Sequence, residues 1–142
     1  MKATKSLLIF ILTLVMCMTC VTASASEANS APNSGIMPLS SHANNVVFSF
    51  SANSNGGIAS VYYRGYSSFV KAELTVKVQK RFLLVFWSDI GEWSTSSTDV
   101  NPILEHIFAL DGSGTYRASF TLVITGNDGT VDTITDTIES KY

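Results

Sequence analysis

Two histidines, His42 and His106, are the side chains of this 142-residue chain suited to proton exchange near neutral pH. Glu105-His106 has no second histidine at metalloprotease spacing, so His106 reads as a structural strand residue, and His42 falls in a Ser/Asn-rich leader. Gly112-Ser-Gly114 is too short for the five-residue nucleophile elbow and opens no helix, which leaves it as a turn. Asp128, Asp132 and Asp136 recur every four residues. On a strand that spacing separates neighbours by about 13 Å, too far to share one cation, and the three read as a solvated edge that discourages sheet association. Asp89 and Glu92 are the carboxylate pair a glycosidase would need, without a cleft signalled around them. The residues that remain are aromatic. Trp87, Trp93, Tyr62, Tyr63 and Tyr66 could stack on sugar rings or anchor a protein partner, against the plainer reading as core.

These residues need a scaffold, and hydrophobic periodicity supplies one. Tyr116, Ala118, Phe120, Leu122 and Ile124 share one parity and Arg117, Ser119 and Thr121 the other, the period-two pattern of a half-buried strand. Gly126-Asn-Asp-Gly129 is hairpin chemistry, and Val131, Ile134 and Ile138 mark the returning strand. Earlier, Val46, Phe48 and Phe50 alternate with Val47, Ser49 and Ser51. Asn53 to Gly57 breaks that run, and Ala59, Val61 and Tyr63 line one face of a strand Ile58 to Arg64. Val70, Ala72, Leu74, Val76 and Val78 alternate with Lys71, Glu73, Thr75, Lys77 and Gln79.

Phe82-Leu-Leu-Val-Phe-Trp87 is apolar on both parities, and no Gly, Pro, Asn or Asp stands between Ser67 and Ser88. One strand over that interval would span about 65 Å, so a bend near Lys80 to Leu84 is required. The segment is either core or interface. Its aggregation hazard favours burial, with Leu84 and Phe86 continuing the core parity. Asp89 to Trp93 and Ser94 to Thr98 read as connection. Ile103 to Leu110 fits a strand or a short helical stripe, with strand favoured by the surrounding pattern.

The N-terminus gives an address. Lys2 and Lys5 precede an apolar run from Leu7 to Val21 and then Ala23-Ser-Ala25, a secretory signal peptide over residues 1–25. Met16 and Thr19 stand before Cys17 and Cys20, where lipid attachment wants a small residue. Cleavage after Ala25 leaves 117 residues and removes both cysteines, so the exported chain has no disulfide, cysteine nucleophile or thiolate metal site. Without Lys2 and Lys5 the nine basic residues fall to seven against eleven acidic, a net charge of −4 that argues against nucleic acid or anionic lipid as partner. No membrane span is expected beyond the signal. Residues 26–45, with Pro32, Gly35 and Pro38, read as a flexible leader, and residues 46–142 as one domain.

About seven short strands at this turn spacing predict an all-β, immunoglobulin-like or fibronectin-like antiparallel β-sandwich. Gly114-Thr-Tyr116 resembles the Gly-x-Tyr of the tyrosine corner, whose phenol bonds upstream backbone. The Asp and Cys of the true immunoglobulin pattern are replaced by Gly112 and Ala118. Signal peptide, Ser/Asn leader, thiol-free sandwich, the Val78-Gln-Lys80 strand, spaced tryptophans and Gly114-Thr-Tyr-Arg117 together resemble the small secreted β-sandwich proteins of Gram-positive bacteria. The resemblance implies a fold and no activity. The expected function is a non-enzymatic, secreted extracellular or cell-surface module that binds a glycan or protein, or serves a structural role, without a cofactor. Trp87, Trp93, Tyr62 and Tyr66 are its candidate contacts, and a small secreted hydrolase is the competing reading.

Overall fold

The computed structural model describes residues 40–142, so the expected signal peptide and the expected leader up to residue 39 lie outside the described residues. The described chain is all-β. Seven strands, β1 (Ala43–Asn53), β2 (Gly56–Gly65), β3 (Phe69–Phe82), β4 (Phe86–Ser97), β5 (Ile103–Phe108), β6 (Thr115–Gly126) and β7 (Val131–Lys141), form two antiparallel sheets of order β1-β2-β5 and β4-β3-β6-β7. Consecutive strands pair as hairpins at β1–β2, β3–β4 and β6–β7, while β5 returns to β2 and β6 to β3. That is an immunoglobulin-like sandwich with its fourth strand in the larger sheet.

Alternation builds the core. Val46, Phe48 and Phe50 of β1, Ala59, Val61 and Tyr63 of β2, Ala72 to Val78 of β3 and Tyr116 to Ile124 of β6 turn alternate side chains inward, and the rings of Phe48 and Phe120 meet across the sheets at 5.1 Å. Ile134 adds β7, and Phe108 adds β5, a strand rather than a helix.

Three expectations are corrected. The packed chain starts before residue 46. Asn45 takes a left-handed φ of 51° in a bulge between Asn44 and Val47, and this extra residue lets Ala43 face the core out of phase with Val46. Ser40 and His42 are buried as well, so residues 40–45 belong to the sandwich. Second, Asp89 to Ser97 is strand, not connection. It pairs with β3 through the rung Ala72–Ser97, and its Ser and Thr side chains suit an edge strand with one wet face.

Third, the Phe82 to Trp87 segment is not core. The β3–β4 turn overlaps the C-terminal part of the expected bend, at Leu83 to Val85. Phe82 and Phe86 close the last rung on the inward parity, but nothing from the facing sheet lies over them, and Phe82 to Phe86 are all exposed. Parity alone does not bury a residue on a strand that outruns its partner sheet.

Candidate functional site

The two ends of the sandwich carry different chemistry. The β3–β4 hairpin projects from one end, beside the β5–β6 loop and the C-terminus. Its tip is the five-residue run Phe82 to Phe86, with Leu84 at the apex 87% exposed. Leu83 and Leu84 hold left-handed φ values of 47° and 67°, where leucine is strained, and Val85 N–H donates to Leu83 C=O at 2.8 Å.

Behind the tip lies a layer of cations and aromatic rings. On the outer face of the larger sheet the guanidiniums of Arg117 and Arg81 lie 4.1 and 4.9 Å from the centre of the Trp87 ring. Arg81 pairs with Glu139 at 2.8 Å, and Arg117 Nε donates to Gln79 Oε1 at 2.8 Å. Gln79 donates in turn to Asp89, which also pairs with Lys77 at 2.8 Å. Lys77 and Gln79 hold the Asp89 carboxyl below its ordinary range. Asp89 is therefore a fixed anion on an open sheet face with Glu92 two rungs along, not a general acid in a cleft.

Trp93 belongs elsewhere. Ile90 is an extra residue between the rungs Gln79–Asp89 and Val78–Gly91, and this bulge reverses the facing of all that follows. Trp87 points outward and Trp93 inward, although they share sequence parity. The Trp93 ring stacks on His106 of β5 at 4.8 Å and 11°, His106 meets Phe108 edge-on at 4.8 Å, and together they close the β4–β5 side of the sandwich. Tyr63, at 0% exposure, is core.

Tyr62 and Tyr66 come together at the opposite end. With Arg64, Gly65, Ser67, Val100 and Asn101 they line an open cleft of about 560 Å³, where Tyr62 Oη donates to Asn101 Oδ1 at 2.8 Å. The four candidate aromatics thus fall in three places: Trp87 on the sheet face, Trp93 in the side seam, Tyr62 and Tyr66 in the cleft.

His42 is tied in beneath this end, not left in a leader. Its Nδ1 lies 3.0 Å from Ser68 Oγ and its Nε2 2.6 Å from Thr130 Oγ1, which itself donates to Asp128 Oδ1 at 2.6 Å. The parts resemble a serine–histidine relay. Yet the imidazole is buried and lies so close to Gly126 that a Cβ there would strike the ring, which leaves a substrate no approach to it. The contacts join the strand-entry segment to the β2–β3 and β6–β7 turns, assisted by Tyr66 N–H to His42 C=O at 2.8 Å. Nearby, on the β7 edge, Asp132 accepts from Ser40 Oγ at 2.8 Å and from Ser41 N–H at 2.7 Å, so it also anchors the entering chain. Among the described residues no three His, Cys, Asp or Glu side chains converge as a metal site would require, and no helix is long and apolar enough to cross a membrane.

The corner residue lies back at the hairpin end. Tyr116 is fully buried, and its hydroxyl is shared between the carbonyls of Gly112, at 2.5 Å, and Asp111, at 2.9 Å. Gly112, with φ of 64°, supplies the left-handed turn that brings these carbonyls over the ring. Lys80 Nζ donates to the same Asp111 carbonyl and sits 5.5 Å from the Tyr116 ring centre, and Gly114 passes close to the lysine stem.

The sequence leaves the hairpin tip as core or interface and favours core. Its overlooked signal was the polar pair Lys80-Arg81, which marks where β3 leaves the cover of the facing sheet. For His42 no sequence signal existed, because its partners lie 26 and 88 residues away.

No protein-family model matches this chain, and no curated protein does. Among solved structures, the soluble domain of PmoD from Methylocystis sp. ATCC 49242 (Rockwell) is similar over 76% of this chain and 98% of that one, with 10% identity and a TM-score of 0.36.

Proposed function

We propose that this chain is exported with residues 1–25 removed and acts outside the cell as a non-enzymatic binding module that makes contact through the β3–β4 hairpin tip. The observation that carries this reading is the exposure of five consecutive apolar side chains, Phe82 to Phe86, on a projecting turn. Leaving such a run in water is unfavourable and invites aggregation, a cost that contact with a partner removes. The hydrolase reading has less support. The cleft is lined by two tyrosines, an arginine and small polar or apolar residues, while Asp89 and Glu92 lie on an open sheet face.

A photocrosslinking amino acid tests the contact. Benzoylphenylalanine in place of Leu84, in the exported chain incubated with cells of the producing organism, should give adducts. The same group at Val131, an exposed apolar position at the opposite end, should give few. Equal yields from both positions would remove the hairpin as the binding element.

The cleft supports a second contact, with a glycan. Tyr62 is held by Asn101, and Tyr66, 39% exposed, stands beside it with Arg64, a combination that suits stacking and hydrogen bonding to a sugar. Tyr66→Ala should abolish retention on a glycan array while leaving crosslinking at position 84 intact.

A further inference from the structure

Resting on the hairpin as the point of contact, we propose that its partner is a lipid bilayer, with residues 82–86 inserted into the membrane interface. The shape of the tip favours lipid over a protein groove. Phe82 and Phe86 stand on one face of the final rung while Leu83, Leu84 and Val85 turn around the end, and each of the five is more than half exposed. A protein epitope presents a face with a polar rim, whereas a tip apolar on all sides suits a medium that is apolar in every direction.

The backbone and the collar agree with insertion. Val85 N–H is satisfied by Leu83 C=O, and Phe82 and Phe86 are paired on the ladder, while the remaining turn amides and carbonyls need water, which is present at interface depth and not in the hydrocarbon centre. Directly behind lie Trp87 with Arg81 and Arg117, then Lys80 against Tyr116, the amphipathic rings and long cationic side chains that prefer headgroup depth. Beyond the level of Trp87 the arm adds one strand step of about 3.3 Å and the Leu83 to Val85 turn with its side chains, a short projection suited to interface depth. Arg81 is already paired with Glu139, and the exported chain is acidic overall, so apolar insertion dominates and anionic lipid adds little.

Flotation with vesicles decides the matter. The exported chain should float with phosphatidylcholine vesicles, gain at most a few-fold in affinity when phosphatidylglycerol is included, and show Trp87 emission quenched by brominated lipid. Leu84→Asp should weaken vesicle binding at least about tenfold with a melt no lower than the parent's, because a carboxylate at the apex would have to enter the interface. Trp87→Phe should remove the quenched component, since Trp93 lies in the side seam. Failure to float, or flotation indifferent to Leu84→Asp, overturns the lipid assignment. Adducts at position 84 to a protein would then keep the hairpin as contact element. A vesicle-free dimer abolished by Leu84→Asp, without flotation of the parent, assigns the tip to a second copy and likewise overturns it.

Discussion

The indole of Trp93 lies flat on the imidazole of His106, with ring centres 4.8 Å apart and planes 11° from parallel, and so joins an edge strand of each sheet across the side of the sandwich. This stack lies over Phe108, while Trp87, six residues earlier on the same strand, lies on the opposite face under two guanidiniums. The two tryptophans therefore respond differently to truncation. Trp93→Ala should cost about 3 kcal/mol, the low end for a large aromatic because the ring is only partly buried. Trp87→Ala should cost no more than about 1 kcal/mol, the scale of exposed cation–π contacts. Urea melts of the two variants read the difference, and equal losses would contradict the placement of Trp93 in the seam.

Two fully buried tyrosines make a second contrast. Tyr116 shares its hydroxyl between two carbonyls, whereas the hydroxyl of Tyr63 is buried without a partner, Ser97 standing near but outside hydrogen-bond geometry. Burial pushes the Tyr63 phenol up from its ordinary pKa. Tyr116→Phe strands acceptors and should destabilise by about 1–2 kcal/mol, while Tyr63→Phe removes an unsatisfied group and should be neutral or stabilising by up to about 1 kcal/mol. Paired denaturant curves check the signs, and a destabilised Tyr63→Phe protein would mean that its hydroxyl does have a partner.

Acid should loosen the chain entry first. The Ser40 hydroxyl, with help from Ser41 N–H, holds the Asp132 carboxyl below its ordinary range. A carboxylate with a lowered folded-state pKa contributes stability that is fully present above its unfolded value, near 4, and is lost as pH falls through the folded value. The contribution at pH 7 is small, because the group is open to solvent. Asp132→Asn should lower stability slightly at neutral pH and flatten the decline below about pH 4. Protection of the Ser41 and His42 amides, expressed relative to intrinsic exchange at each pH, should hold down to about pH 4 and fall below it in the parent chain. A rate that tracks only intrinsic exchange would show that Asp132 does not hold the entry.

The core was legible from the sequence because alternation is local. Tyr116 to Ile124, Leu74 to Val78 and Ala59 to Tyr63 are all buried on the parity read from the chain. What was not legible depended on a residue out of register or on a distant surface. Ile90 is an ordinary isoleucine whose bulge is visible only in pairing with β3, and it separates Trp87 from Trp93. Leu83-Leu84 carries no turn chemistry, yet the turn forms there because the flanking β3 and β4 pair over eleven rungs. Asp132 and His42 depend on partners in the strand-entry segment and on neighbouring turns, which composition cannot link.

That turn yields the final prediction. Two-residue stretches with left-handed φ favour Asn-Gly, because a leucine side chain crowds its own backbone there at a cost of about 1 kcal/mol or more per residue. Both leucine side chains are exposed, so removing them sacrifices no core packing. Leu83→Asn with Leu84→Gly should therefore raise unfolding stability by about 1 kcal/mol, after the entropy that glycine loses on folding offsets part of the relief. It also removes the apex that the binding reading requires. A variant that melts higher but no longer floats with vesicles would show that two strained, water-exposed leucines are kept at the expense of stability for contact. A variant that melts lower would show that the leucines stabilise the hairpin in water, and would return Phe82 to Phe86 to the role of an ordinary connection.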